Sequence, residues 1–184
     1  MPPIPDKRLE ERILKAAQRL WRTHGEEGVT LRAVAHAAGT TTPTLYKRFR
    51  NKEALLLALA SRIREEVTAD LFQSASVEES PHRYLAYAHA HPREYELVGK
   101  YWGHFLSGPR PFRTWLLGQL AARHGGQPDD YSMIYDALFL LCHGASTLLT
   151  VAPNEEVLDA TREACIQACD NLVRNAPSRL QTPN

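Results

Sequence analysis

Four prolines limit what this chain can fold into more than any other feature. Pro92, Pro109, Pro128 and Pro153 each stand where an apolar-periodic segment begins. The start of a helix is the position at which a missing N–H and a fixed φ do least harm. No segment shows the period-2 alternation of strands; apolar residues recur at i, i+3 and i+4 instead. The chain reads as all-α.

The N-terminal half divides by its caps. Leu9, Ile13, Ala16, Ala17, Leu20 and Trp21 form one stripe of a first helix over about 7–24, with Asp6 as N-cap and Gly25 as its stop. Thr30 caps a short second helix over 31–38, which Gly39 breaks. Pro43 opens a third, ending near Phe49. Asn51 caps a long fourth helix through Leu55, Leu59, Ile63, Val67 and Phe72. After a polar break at 74–81, helices are expected over about 81–90, 92–106, 109–124, 128–151 and 154–174. The expected organisation is 1–52 as a three-helix head, 53–176 as a helical body, and a frayed tail at 177–184.

Charge separates along the same line. Residues 1–52 carry 11 Lys/Arg against 5 Asp/Glu, a net of +6, whereas the remainder is −5. A basic head on an acidic body suits a polyanion bound by the head alone. The whole chain, 184 residues with 43% hydrophobic content and a net charge of +1, is too apolar and too neutral to be disordered. No secretory signal is expected at Met1–Pro5. The charge-free stretch from Ala137 to Asn154 reads as a buried core helix rather than a membrane span. A soluble, cytoplasmic protein without membrane contact is the expectation.

Val34, Ala35, Gly39 and Leu45 fall at the spacings of a helix-turn-helix: a small residue where helices cross, a glycine in the turn, a leucine inserted between them. A three-helix cap on a bundle shares that apolar pattern but does not account for the polar face. Thr41, Thr42, Thr44, Tyr46, Lys47, Arg48, Arg50 and Lys52 supply the donors and methyl groups that phosphates and base edges require.

Arg12-Ile13-Leu14 with Ala16-Ala17, Gly25, Thr30, Val34-Ala35, Ala38-Gly39, Thr44-Leu45-Tyr46, Phe49, Lys52-Glu53 and Leu55 resemble the N-terminal signature of the TetR family of bacterial transcriptional regulators. Two departures stand out: the usual Gly-Val-Ser turn reads Gly39-Thr40-Thr41, and Pro43 replaces a small residue. The resemblance implies that Thr30, Thr41, Tyr46 and Lys52 contact phosphates, and that Thr42, Pro43 and Lys47 read bases with Arg32 reaching in from the second helix. Thr44 belongs either to this surface or to helix packing. A C-terminal domain that dimerises and holds a small hydrophobic or aromatic effector is also implied, with a palindromic operator on double-stranded DNA. His91-Pro92, Tyr95 and Leu97 with Leu141-Cys142-His143-Gly144 are similar to a subclass of the family with a Trp-His-Gly motif, Cys142 standing in the Trp position.

For the body, the expected dimer residues are Tyr131, Ile134, Tyr135, Leu138, Ala145 and Leu149, with the small-residue stripe Ala160, Ala164 and Ala168. The expected pocket comprises Tyr101, Trp102, His104, Phe105, Trp115, Phe139 and His143, although such aromatics also suit an ordinary core. Of eight histidines, His82 and His89 share a helix face, but no Cys or carboxylate completes a site, so no metal or cofactor is expected. Cys165 and Cys169, at i, i+4, suit a redox pair or simply small buried residues. No G-x-S-x-G, P-loop, G-x-G-x-x-G or H-E-x-x-H is present, so no catalytic residues are assigned. The expected function is a ligand-released homodimeric repressor. The rival readings are a constitutive DNA-binding regulator and a helical ligand-binding protein whose head does not bind DNA.

Overall fold

The computed structural model describes residues 7–176; the expected Asp6 cap and the tail at 177–184 lie outside them. The described chain is all-α: α1 (Lys7–Gly28), α2 (Leu31–Ala37), α3 (Thr42–Tyr46), α4 (Lys52–Leu71), α5 (Glu79–Ala90), α6 (Pro92–Lys100), α7 (Trp102–Leu106), α8 (Pro111–His124), a 3-10 turn (Pro128–Tyr131), α9 (Ser132–Leu149) and α10 (Glu155–Arg174). The expected class is borne out, with three boundary differences.

Gly25 breaks α1 at φ 64 and ψ −155, as a stop should, yet one further turn follows to Gly28. The segment 92–106 is two helices rather than one. They part at Tyr101, whose N–H bonds back to the Val98 carbonyl (3.1 Å) and whose hydroxyl donates to Glu53 Oε1 (2.7 Å). The 128–151 segment opens as a 3-10 turn because its carbonyls and amides are claimed locally. Gln127 N–H donates to Asp130 Oδ2 (2.8 Å) and Tyr131 Oη to the Gly125 carbonyl (2.6 Å).

Contacts divide the described residues into two compact units. The first holds 7–66 and Arg93–Gly103, so α6 belongs with the head helices although 26 residues separate it from them in sequence. Ile13, Ala17, Val34, Leu45, Leu55, Leu59, Ile63 and Leu97 are buried here. A polar network runs through the same interior. Glu94 is fully buried, and its Oε1 accepts from Gln18 Nε2 (2.6 Å) and Arg22 Nε (2.9 Å). Gln18 also donates to Glu66 Oε2 (2.9 Å), and Trp21 Nε1 donates to the Arg93 carbonyl (2.7 Å). These bonds fasten α6 to α1 by pairing a buried charge that would otherwise be costly.

The second unit holds Val67–Pro92 and 104–176. α9 packs against α10 and α5, and α8 against α9 and the 3-10 turn. The core contains Leu85, Leu116, Leu117, Leu120, Tyr131, Leu138, Cys142, Leu149, Leu158 and Val173. Asn154 Oδ1 accepts from Val157 N–H (2.9 Å), which caps α10 where the sequence placed its start.

The apolar helix around Ala137–Asn154 is not the wholly buried element expected. Pro128–Leu149 is long and apolar enough to cross a membrane (mean hydropathy 1.3), and only 28% of that window is buried. One face meets the core; the other carries exposed Met133, Leu140 and Leu148, continued by Val151 beyond the helix end.

Candidate nucleic-acid interface

The head is built by two capped short helices and the turn between them. Thr30 Oγ1 accepts from Ala33 N–H (3.1 Å) at the start of α2, and Thr41 Oγ1 from Thr44 N–H (3.3 Å) at the start of α3. Between them Gly39 takes φ 63, a left-handed conformation that costs a residue with a side chain about 1 kcal/mol or more. The Thr40 N–H then bonds to the Ala35 carbonyl (2.9 Å) and closes the turn. Leu45 is fully buried and Phe49 nearly so. With the inner face of α3 spent on packing, its polar residues are left outward.

The DNA-contact residues expected from sequence are placed as follows. Thr30, Arg32, Thr41, Pro43, Tyr46 and Lys47 are exposed, Tyr46 at 54%, while Thr42, Thr44 and Lys52 are half-buried. Arg32, Lys47 and Arg50 have no ion-pair partner among the described residues. The caps do not disable the threonines. Thr30 uses an oxygen lone pair on the backbone and keeps its O–H for an acceptor such as phosphate oxygen. Thr41 shares a 2.8 Å hydroxyl contact with Thr44, so Thr44 serves local structure as well as lying near the surface.

Two cations are already engaged. Lys52 Nζ donates to the Glu26 carbonyl (2.7 Å) at the end of α1, and Arg48 Nε lies 3.2 Å from Glu10 Oε2. Neither Glu10 nor Glu26 belongs to the polar pattern of the helix-turn-helix. Their acidity alone gives no sign that they face this surface.

The residues of the expected aromatic pocket fall in both units. Tyr101 and Trp102 fall in the first unit; His104, Phe105, Trp115, Phe139 and His143 fall in the second. Burial and the Glu53 carboxylate raise the Tyr101 phenol above its usual range. Trp115 stacks on Phe112 (centroids 5.2 Å) and meets Phe72 edge-on (6.2 Å). Phe139 and His143, one turn apart on α9, stack at 5.7 Å, and partial burial lowers the His143 pKa. The trio around Trp115 includes Phe72, just past the end of α4.

The expected dimer residues divide by burial. Tyr131, Leu138, Ala145 and Leu149 lie inside the second unit's own core, and Ile134 and Tyr135 are partly buried against it. Ala160 and Ala164 are exposed and Ala168 half-exposed. The outward apolar residues of α9 are Met133, Leu140 and Leu148.

Comparison with known proteins agrees with the head's geometry. Residues 13–59 match the profile of the bacterial regulatory proteins of the tetR family. The HTH-type transcriptional repressor AcnR of Corynebacterium efficiens is 33% identical over 80 residues, 40% of this chain. That alignment spans 43% of the relative's length, under half of it. A TetR variant from Acinetobacter baumannii AYE, solved in complex with minocycline, superposes with a TM-score of 0.64 at 20% identity, covering 89% of this chain and 93% of that one. A protein of unknown function from Rhodococcus sp. RHA1 superposes at 0.66 with 23% identity, covering 95% and 98%. Residues 13–59 thus match the tetR-family model of bacterial regulatory proteins, and the described residues share the fold of the A. baumannii TetR structure.

Proposed function

We propose that this chain is a cytoplasmic, sequence-specific transcriptional repressor that binds a palindromic operator as a homodimer. The observation that carries the reading is the capped α2–turn–α3 unit with Arg32, Pro43, Tyr46, Lys47 and Arg50 outward and Leu45 inward. Lys47 has the reach and charge to donate to guanine O6 or N7, and Pro43 or a Thr methyl packs on a thymine methyl. Thr30, Thr41 and Tyr46 hydroxyls fix the register on phosphates. The AcnR relatives, named as repressors, support the direction of regulation.

One head reads a half-site, so a palindrome needs two heads about 34–36 Å apart. The exposed residues Met133, Leu140 and Leu148 on α9, with Val157, Ala160 and Ala164 on α10, supply the apolar face for a second copy. Asp136 and Thr147 on the same outward side suit a protein partner better than lipid. Release by a small apolar or aromatic ligand in the second unit completes the reading, by analogy with the minocycline complex of the A. baumannii protein. The ligand acts by binding one dimer state better than the other.

The test is selection from a random duplex library at about 0.15 M salt, where the purely electrostatic component is already weakened. An enriched palindrome is expected. Retention without consensus, or none from refolded ligand-free protein, overturns the reading.

A further inference from the structure

We propose that Cys142, Cys165 and Cys169 form a three-thiolate site for a trivalent thiophile of the arsenous acid class. The sequence shows only the pair one turn apart on α10. The fold brings Cys142 from α9 against it, so that all three sulfurs lie within 4.8 Å of one another and Cys142 Sγ is 3.9 Å from Cys169 Sγ. Bonds of about 2.3 Å to a trivalent centre whose lone pair holds the angles near about 95–100° place three sulfurs roughly 3.4–3.5 Å apart. Closing the site therefore asks for a contraction of up to about 1.4 Å at the widest pair, within reach of side-chain rotation.

Charge selects the occupant. All three cysteines are buried in a core that also contains Leu138, Ala145, Leu149, Leu158 and Val173. No imidazole or carboxylate joins the sulfur cluster among the described residues. Asp170, next in the chain to Cys169, adds negative charge rather than compensating it. Three thiolates on a monovalent or divalent cation leave a net negative group in this apolar setting, which is costly. A trivalent centre leaves none. It also accepts three ligands without the fourth that zinc demands.

The step balances without an oxidant. Arsenous acid, As(OH)3, meets three thiols; three As–O bonds break, three As–S bonds form, and each thiol proton leaves with a hydroxide as water. Arsenic and sulfur keep their oxidation states. Resting on the DNA-binding reading, closure of the site staples α9 to α10, the helices that bear the proposed dimer face, and loosens operator binding.

The experiment uses reduced full-length chain titrated anaerobically with arsenite, followed by native mass spectrometry and by counting free thiols. The expected result is one arsenic per chain with three protons lost and no free thiol left. Cys142→Ser and Cys165→Ser should each abolish it while far-UV circular dichroism stays that of the parent. Should Cys142→Ser fail to fold, Cys142→Ala and Cys165→Ser carry the same test. A residual free thiol at saturation, or tighter occupation by Zn(II) or Cu(I) than by arsenite, overturns the site. Arsenite bound in full with operator retention unchanged overturns only the regulatory step. No selected operator at all is a failure of the DNA-binding reading and leaves the arsenic stoichiometry standing.

Discussion

Lys47 and Lys52 sit five residues apart and carry the same charge, yet their surroundings differ. Lys47 is exposed on α3 with no ion-pair partner among the described residues, whereas Lys52 Nζ is 2.7 Å from the Glu26 carbonyl. On the proposed reading Lys47→Met removes a base contact, so it should cost about 1–3 kcal/mol per half-site on the selected operator, roughly 5- to 150-fold each. On a scrambled duplex the loss should be much smaller. Lys52→Met should weaken both duplexes by the same factor and flatten the salt dependence, by at most about 0.9 in the log–log slope per half-site. The slope change should fall short of that bound, because a phosphate must compete with the Glu26 carbonyl already bonded to the ammonium. The assay is fluorescence anisotropy on both duplexes between about 0.05 and 0.3 M salt. Equal losses on operator and scrambled DNA for Lys47→Met would refute the assignment of base reading to that residue. An unchanged operator-to-scrambled ratio for Lys47→Met together with a lowered ratio for Lys52→Met would invert the scheme.

Three further outcomes follow from the packing. Glu94→Ala deletes the acceptor of two short hydrogen bonds; because Arg22 is half-exposed and Gln18 keeps Glu66, the expected loss is about 3 kcal/mol, at the low end for a broken buried pair. A loss under about 1 kcal/mol in urea unfolding would show the network to be dispensable. Leu140→Glu with Leu148→Glu should leave the monomer's stability near that of the parent, since both are exposed, and should yield monomers in sedimentation; a persistent dimer places the interface elsewhere. His143 has a pKa lowered by burial, so the unfolded chain binds a proton at a pH where the folded one does not. Stability should therefore fall as pH drops from about 7.5 to 5.5 and recover above, and a His143→Gln variant with an undiminished slope would contradict this.

What was legible in the sequence is what neighbouring residues decide among themselves. Thr30, Thr41 and Asn154 cap helices with side chains that reach three residues along the chain, and Gly39 needs only its own φ to make the turn. The polar face of α3 followed, because Leu45 and Phe49 fix which side goes inward. Glu94 was invisible by the same logic. An acid in the first turn of a helix reads as a solvated, dipole-favoured residue. Its partners Gln18 and Arg22 stand 76 and 72 residues away, and no local pattern announces them. The cysteine cluster has the same origin, since Cys142 and Cys165 lie on separate helices.

α9 shows where periodicity stops being informative. Its apolar residues cover most of the helix circumference, so the pattern says that both faces want cover without saying which one the monomer supplies. The structure resolves the choice: Leu138, Cys142, Ala145 and Leu149, spaced by four, three and four, turn inward, and Met133, Leu140 and Leu148 stay exposed. The inward line is continuous with the core because it also carries the small residues Cys142 and Ala145, which let α10 approach closely. A bulkier outward leucine in either position would separate the two helices. The side chains that make α9 a good core helix are thus not the ones that make it adhesive, and a substitution on one face leaves the other intact. That separation is what allows the proposed dimer face and the thiol cluster to be tested by separate substitutions on a single helix.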